Sequence, residues 1–109
     1  MSLRPTAIGY LRRDVSGISQ VWDETLIRSL AKRLGYDLAK TIAFGPETDD
    51  PIGRLVGSVH KVAAAAVIAP GPAHFEGEIP AALIRACDVV TVAPETTYTR
   101  LAEPDDDCA

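Results

Sequence analysis

The sequence predicts an α/β protein: a small three-layer, doubly wound parallel sheet of four strands in the order 2-1-3-4. The first observation is that four apolar runs of strand length alternate with three stretches in which apolar residues recur every three or four positions. The second is the length of the chain, 109 residues, which is the size of one domain. Parallel strands need helical crossovers, which are right-handed, and the order 2-1-3-4 is the flavodoxin-like order cut short.

The first strand and the first helix are predicted from their apolar patterns. Thr6–Leu11 is almost continuously apolar, which is typical of a strand buried on both faces. The helix is predicted over about Gln20–Leu34, with an apolar stripe that repeats every four residues from Trp22. We expect Trp22 in the core or at the helix edge. Gly35 follows as a left-handed stop.

The middle of the chain continues the alternation. Tyr36–Phe44 is predicted as the second strand. Asp50 followed by Pro51 is a helix cap followed by a first-turn proline, and the apolar spacing of three and four residues after it predicts the second helix. Ala64–Ala69 is a short apolar run with a Val-Ile centre, which favours a buried third strand.

The last elements set the expected domain boundary. A third helix is predicted over Glu78–Ala86 and a fourth strand over Val89–Ala93. Residues 1–95 are therefore expected to form one domain. Residues 96–109 end in Glu-Pro-Asp-Asp-Asp-Cys-Ala, and we expect this acidic tail to be disordered.

Composition excludes several function classes. The chain is 47% hydrophobic and 24% charged, and no apolar run approaches the length of a membrane span, so we expect a cytoplasmic protein without a membrane partner. Eleven basic against 15 acidic residues give a net charge of -4, which makes DNA binding through phosphate neutralisation unexpected. Cys87 and Cys108 make neither a disulfide framework nor a metal site.

The candidate site follows from the fold. Ligands of open α/β sheets bind at the carboxyl ends of the strands, where the strand order reverses. Two adjacent arginines beside helix N-termini favour an anion there, such as a nucleotide phosphate. No motif predicts a catalytic residue, a metal site or a cofactor. The residues expected to bind a ligand at this edge are Arg12, Arg13, Asp14, Ser16, Gly71 and His74.

Two other interpretations of these residues stay open. Arg12 and Arg13 could be solvated residues at the end of a strand, with no ligand. Asp14, Ser16 and His74 could instead belong to an enzyme of unknown reaction. A catalytic aspartate–histidine pair would need to lie within hydrogen-bond reach, about 2.6–3.2 Å.

Three stretches carry a resemblance to a known family. The first strand reads Ile8-Gly9-Tyr10-Leu11-Arg12, and the first helix contains Gln20 and closes on Ile27-x-x-x-Ala31-x-x-x-Gly35. The second helix opens at Asp49-Asp50-Pro51, with Leu55 following. Together they resemble the N-terminal catalytic domain of the serine recombinases, the resolvase/invertase family, over about Ala7 to Val92. The resemblance implies a strand-end site for phosphodiester chemistry.

The departures from the family pattern imply a degenerate member. Aligned without a gap, the family's nucleophilic serine falls on Asp14, whereas a two-residue insertion would bring Ser16 into register. The arginine of the family's Asp-Arg-Pro motif falls on Asp50, and the loop 70–77 has no arginine. Attack on a phosphodiester needs several cations, and only Arg12 of that set is retained.

The leading hypothesis is therefore a non-catalytic resolvase-like domain that acts through protein–protein interaction or self-association, without DNA strand exchange. The alternative is a module that binds a small ligand, a nucleotide or another anion, at the carboxyl ends of the strands.

Overall fold

The computed structural model describes residues 4–100. Its strands are β1 (Thr6–Arg12), β2 (Asp37–Phe44), β3 (Ala66–Ala69), β4 (Asp88–Thr91) and β5 (Thr96–Tyr98). Its α-helices are α1 (Arg13–Ser16), α2 (Gln20–Leu34), α3 (Pro51–Val62) and α4 (Ala81–Ala86). Two 3-10 turns, Gly17–Ser19 and Pro72–Phe75, follow α1 and β3. The predicted α/β class is confirmed.

The sheet differs in detail from the prediction of four parallel strands. Its order is β2-β1-β3-β4-β5, and the pairs among the first four strands are parallel as predicted. The fifth strand, β5, runs antiparallel to β4. A tight turn reverses the chain after β4, where the Thr91 hydroxyl donates a hydrogen bond of 2.6 Å to the carbonyl of Pro94.

The predicted disordered tail is consequently wrong for its first residues. Thr96–Tyr98 pairs with β4, because its β-branched and aromatic side chains suit a strand despite the lack of an apolar run. The part of that prediction that covers residues 101–109, including Cys108, lies outside the described residues.

Apolar side chains form one core on each face of the sheet. Alternate residues of β1 point to opposite faces. Ile8 and Tyr10 pack with α3 and α4, whereas Ala7 and Leu11 pack with α2. The helices thus cover both faces, which gives three layers. No helix within residues 4–100 is both long enough and apolar enough to cross a membrane.

Trp22 lies at the surface and not in the core. Its side chain is 63% exposed, while the buried residues of α2 are Ile27, Leu30 and Ala31. A four-residue repeat advances by about 40° per step around a helix of 3.6 residues per turn. Trp22 therefore lies two steps, or about 80°, away from the direction of Leu30, and the predicted stripe is only partly buried.

At Gly9, α2 and β2 approach β1 closely. A Cβ atom at this position would lie 2.6 Å from Oγ1 of Thr41 and 2.9 Å from Cγ2 of Ile27. Real Cβ atoms do not make contacts this short, so only glycine fits without a shift of its neighbours. By contrast, a Cβ atom at Gly57 in α3 would meet nothing within 4 Å.

We therefore expect opposite effects from the same substitution at these two glycines. Gly9→Ala should lower the free energy of unfolding by about 1–3 kcal/mol, because it overpacks the core between α2 and the sheet. Gly57→Ala should raise it by up to about 1 kcal/mol, because alanine is the better residue inside a helix. Urea unfolding of the two variants measures both values. A Gly9→Ala variant as stable as the unmodified chain would contradict the close approach.

Candidate functional site

The carboxyl ends of β1 and β3 are joined through His74. β1 and β3 are neighbours in the sheet, so the residue that ends β1 meets the turn that follows β3. The backbone N–H of Arg12 donates to Nδ1 of His74 at 2.9 Å. The hydroxyl of Tyr10 donates to the His74 carbonyl at 3.1 Å. Hydrogen bonds thus connect the end of β1 to the turn after β3 at the predicted edge of the sheet.

The guanidinium of Arg12 is held by two carboxylates. Asp14 accepts from Nε at 3.2 Å and from Nη2 at 2.9 Å, and Glu76 accepts from Nη1 at 3.3 Å. The Arg12 side chain is only 19% exposed, whereas that of Glu76 is 83% exposed. Two negative charges against one positive charge leave this cluster negative, which disfavours a further anion.

Arg13 bonds to a different part of the molecule. Its Nη1 donates to the carbonyl of Ala43 at 2.8 Å, and its Nη2 pairs with Glu47 at 2.9 Å. Arg13 therefore ties the end of β1 to the loop after β2, while Arg12 bonds toward the turn after β3. The two arginines do not form a common clamp.

Ser16 is buried and bonded to a carboxylate. It is 7% exposed, and its Oγ donates to Oδ2 of Asp23 at 2.6 Å. Asp23 was not predicted as a partner of Ser16, because the two residues lie in different helices, α1 and α2, separated by a turn in which Gly17 has φ 56°. In this geometry the hydroxyl is shielded from a substrate.

His74 is held in its neutral form. It is 4% exposed, and burial lowers its pKa; the charge of Arg12 acts in the same direction, and Asp23 and Asp14 oppose it. Because Nδ1 accepts the amide hydrogen of Arg12, the ring proton is on Nε2. Nε2 has no hydrogen-bond partner among residues 4–100.

Asp14 bonds to Arg12 and makes no hydrogen bond to His74 in the described part of the chain. Asp14 and His74 therefore do not form the aspartate–histidine pair considered for an enzyme of unknown reaction.

Gly71 has a packing role at this edge. A Cβ atom there would lie 2.8 Å from the carbonyl oxygen of Ala93. The backbone of Gly71 is extended, with φ -179°, so close approach and not conformational freedom requires glycine. Gly71 lets the loop after β3 contact the turn after β4.

A cleft of ≈ 310 Å³ opens beside the edge. Its apolar wall includes Tyr10 and Phe75, whose rings stack with centroids 4.9 Å apart. Arg12 and His74 line it as well, whereas Arg13, Asp14, Ser16 and Gly71 do not. The structure thus brings two of the six predicted residues to one cleft. That these residues bind a ligand stays a prediction.

No group of three or more His, Cys, Asp and Glu side chains in residues 4–100 is placed to hold a metal ion. Burial raises the pKa of the Cys87 thiol to about 11, so the thiol stays protonated at neutral pH.

Comparisons with known proteins do not assign a family. No protein-family model matches the sequence, and no curated protein matches it. The resemblance to the serine recombinases therefore rests on the sequence motifs alone.

His74 should make the stability of the protein depend on pH. In the unfolded chain the imidazole takes up a proton as the pH falls through about 6.5, whereas the folded protein, with its lower pKa, resists protonation. The unfolded state binds more protons, so stability should fall as the pH falls, by at most about 1.4 kcal/mol per pH unit. Urea unfolding at about pH 7.5 and about pH 5.5 measures the loss.

The variant that tests this assignment is His74→Asn, which keeps an acceptor for the Arg12 amide and removes the titration. It should lose less stability than the unmodified chain between the two pH values. His60→Gln, at an exposed histidine of α3, is the matched control and should retain the loss. Equal losses in the His74→Asn and unmodified proteins would contradict the assignment.

Proposed function

We propose that this chain is a non-catalytic, resolvase-like α/β domain that works by associating with a second copy of itself. The observation that carries the proposal is an exposed apolar surface at the start of α2, made of Ile18, Val21 and Trp22. Ile18 is fully exposed, Val21 is 77% exposed and Trp22 is 63% exposed. Val21 and Trp22 lie in the first turn of α2 and Ile18 in the 3-10 turn just before it, so three exposed apolar side chains fall within five residues of the chain.

The size of this surface fits a weak, specific contact. Fully burying one such side chain contributes about 1.5–3 kcal/mol, and tryptophan is among the residues that most often dominate an interface. Association itself costs several kcal/mol in lost freedom. In a dimer with two-fold symmetry, both copies bury the same three side chains, so this one surface contributes to the interface twice. This favours self-association.

The geometry of the polar residues supports the absence of catalysis. Ser16 is buried and donates to Asp23, and Arg12 is neutralised by Asp14 and Glu76. Transfer of a phosphoryl group needs unpaired cations around an accessible nucleophile. Neither requirement is met at this edge within residues 4–100.

The alternative function, binding of a nucleotide or another anion, has weaker support. The cleft at the edge has an aromatic wall that could take a flat ring. An incoming anion would, however, have to displace Asp14 or Glu76 from Arg12. The negative local charge therefore favours the interaction hypothesis over the anion hypothesis.

Self-association should depend on the apolar surface. We expect the unmodified chain to form a dimer in sedimentation velocity at concentrations up to about 1 mM. At that concentration half of the chains are paired even if the free energy of association is only about -4 kcal/mol. The double variant Ile18→Ser/Trp22→Ser should remain a monomer over the same range. Leu34→Ser, at an exposed apolar residue near the other end of α2, is the control and should dimerise like the unmodified chain.

An unmodified chain that stays monomeric throughout this range would contradict self-association. A dimer that persists in the double variant would contradict the assignment of the surface.

Recombinase chemistry should be undetectable. Incubated with supercoiled plasmid, with or without Mg²⁺, the chain should produce neither nicked nor relaxed DNA, because the arginines at the carboxyl edge are paired with carboxylates. Agarose gel electrophoresis measures the product. Relaxation that disappears in the Ser16→Ala variant, while circular dichroism shows that the variant stays folded, would overturn the non-catalytic assignment.

A further inference from the structure

β2 forms a long open edge of the sheet. Seven of its eight residues pair with β1 on one side, and no strand within residues 4–100 pairs with the other side. An open edge presents unpaired backbone N–H and C=O groups, which can accept another strand. The opposite edge of the sheet, β5, has only three residues. The molecule therefore has one edge long enough for stable strand addition.

Cations line both faces of this edge. A groove of ≈ 510 Å³ beside α2 is lined by Arg4, Arg28 and Lys32. A second groove, of ≈ 450 Å³ beside α3, is lined by Lys40, Arg54 and Lys61. A bulge at Ala39 turns Leu38 toward the first groove and Lys40 toward the second. More than half of the chain's 11 Lys and Arg residues thus flank one strand of a protein whose net charge is -4.

These cations differ in their pairing from those at the carboxyl edge. At that edge Arg12 and Arg13 pair with carboxylates, and so does Arg33 in the last turn of α2. In the described part of the chain, five of the groove cations make no ion pair; these are Arg28, Lys32, Lys40, Arg54 and Lys61. Their charge is available to an incoming group.

The charges around β2 determine which kind of strand can pair with its open edge. Lysine on an edge strand opposes edge-to-edge pairing of identical chains, because like charges then face each other. A second copy of β2 is thereby disfavoured. An acidic strand has the opposite charge. Asp37, at the first position of β2, is the only carboxylate that the strand itself carries.

We propose that the open edge of β2 binds an extended acidic segment of another protein, which adds a sixth strand to the sheet. Side chains of an added strand point alternately to its two faces, and each face meets one of the two cationic grooves. The segment therefore carries Asp or Glu on both faces. Apolar residues of the grooves, Tyr36 and Leu38 on one side and Ile42 and Phe44 on the other, contact its remaining side chains.

This surface is separate from the apolar surface of Ile18, Val21 and Trp22. None of those three residues lines either groove. The proposal therefore does not depend on self-association, and it is tested equally well with the monomeric variant Ile18→Ser/Trp22→Ser.

The test uses a fluorescein-labelled peptide of Glu and Val, as long as β2 and with Glu on both faces of its extended form. We expect saturable binding by fluorescence anisotropy, weaker as salt is added, and no binding of the same peptide with Lys in place of Glu. Arg28→Glu/Lys61→Glu, which reverses one charge in each groove, should weaken binding by at least about tenfold. Arg85→Glu, at an exposed residue of α4 outside both grooves, is the matched control and should bind like the unmodified chain.

Hydrogen exchange distinguishes strand addition from simple attraction of charges. The bound peptide should slow exchange at the outward-facing amides of β2 and leave β5 unchanged. Three results would overturn the proposal: no binding at about 1 mM peptide, binding without protection of β2, or equal displacement of the peptide by single-stranded oligothymidine, which would indicate a nucleic-acid groove.

Discussion

The hydrogen bond from the Arg12 amide to Nδ1 of His74 is the interaction on which the carboxyl edge depends. It joins the end of β1 to the turn after β3 and fixes the imidazole as a neutral acceptor. The guanidinium of the same residue, Arg12, lies between Asp14 and Glu76. A strand-end position that binds anions in many α/β sheets is therefore filled by the protein's own charges. The polar groups of this edge stabilise the fold and leave little free charge for chemistry.

Available charge lies elsewhere on the molecule. The carboxyl edge is locally negative, whereas both faces of β2 carry cations without carboxylate partners in the described residues. The apolar surface at the start of α2 is a third distinct region. A net charge of -4 conceals this separation, because it sums over regions of opposite sign. The proposed contacts with partners rest on the last two of these regions, which lie apart from the carboxyl edge.

Local signals predicted most of the fold. Apolar spacing and end residues located α2, with Gly35 in the left-handed conformation after it, and α3, with the Asp50 side chain accepting from the amide of Gly53. β5 was missed because three residues next to an acidic stretch carry no periodic pattern, and only pairing with β4 makes them a strand. The Ser16–Asp23 bond and the cations around β2 were missed for a related reason. Tertiary folding brings them together from separate elements.

The shortness of β5 limits what kind of assembly the sheet can form. Head-to-tail stacking of sheets would require the open edge of one molecule to pair with the opposite edge of the next, and repetition of that contact would build a filament. Three residues at β5 provide too short a ladder of hydrogen bonds to sustain such a repeat, and the cations along β2 find no matching acidic row on Thr96–Tyr98. By the proposed addition the sheet would therefore gain one strand and no more, so a complex formed at this edge would stay finite.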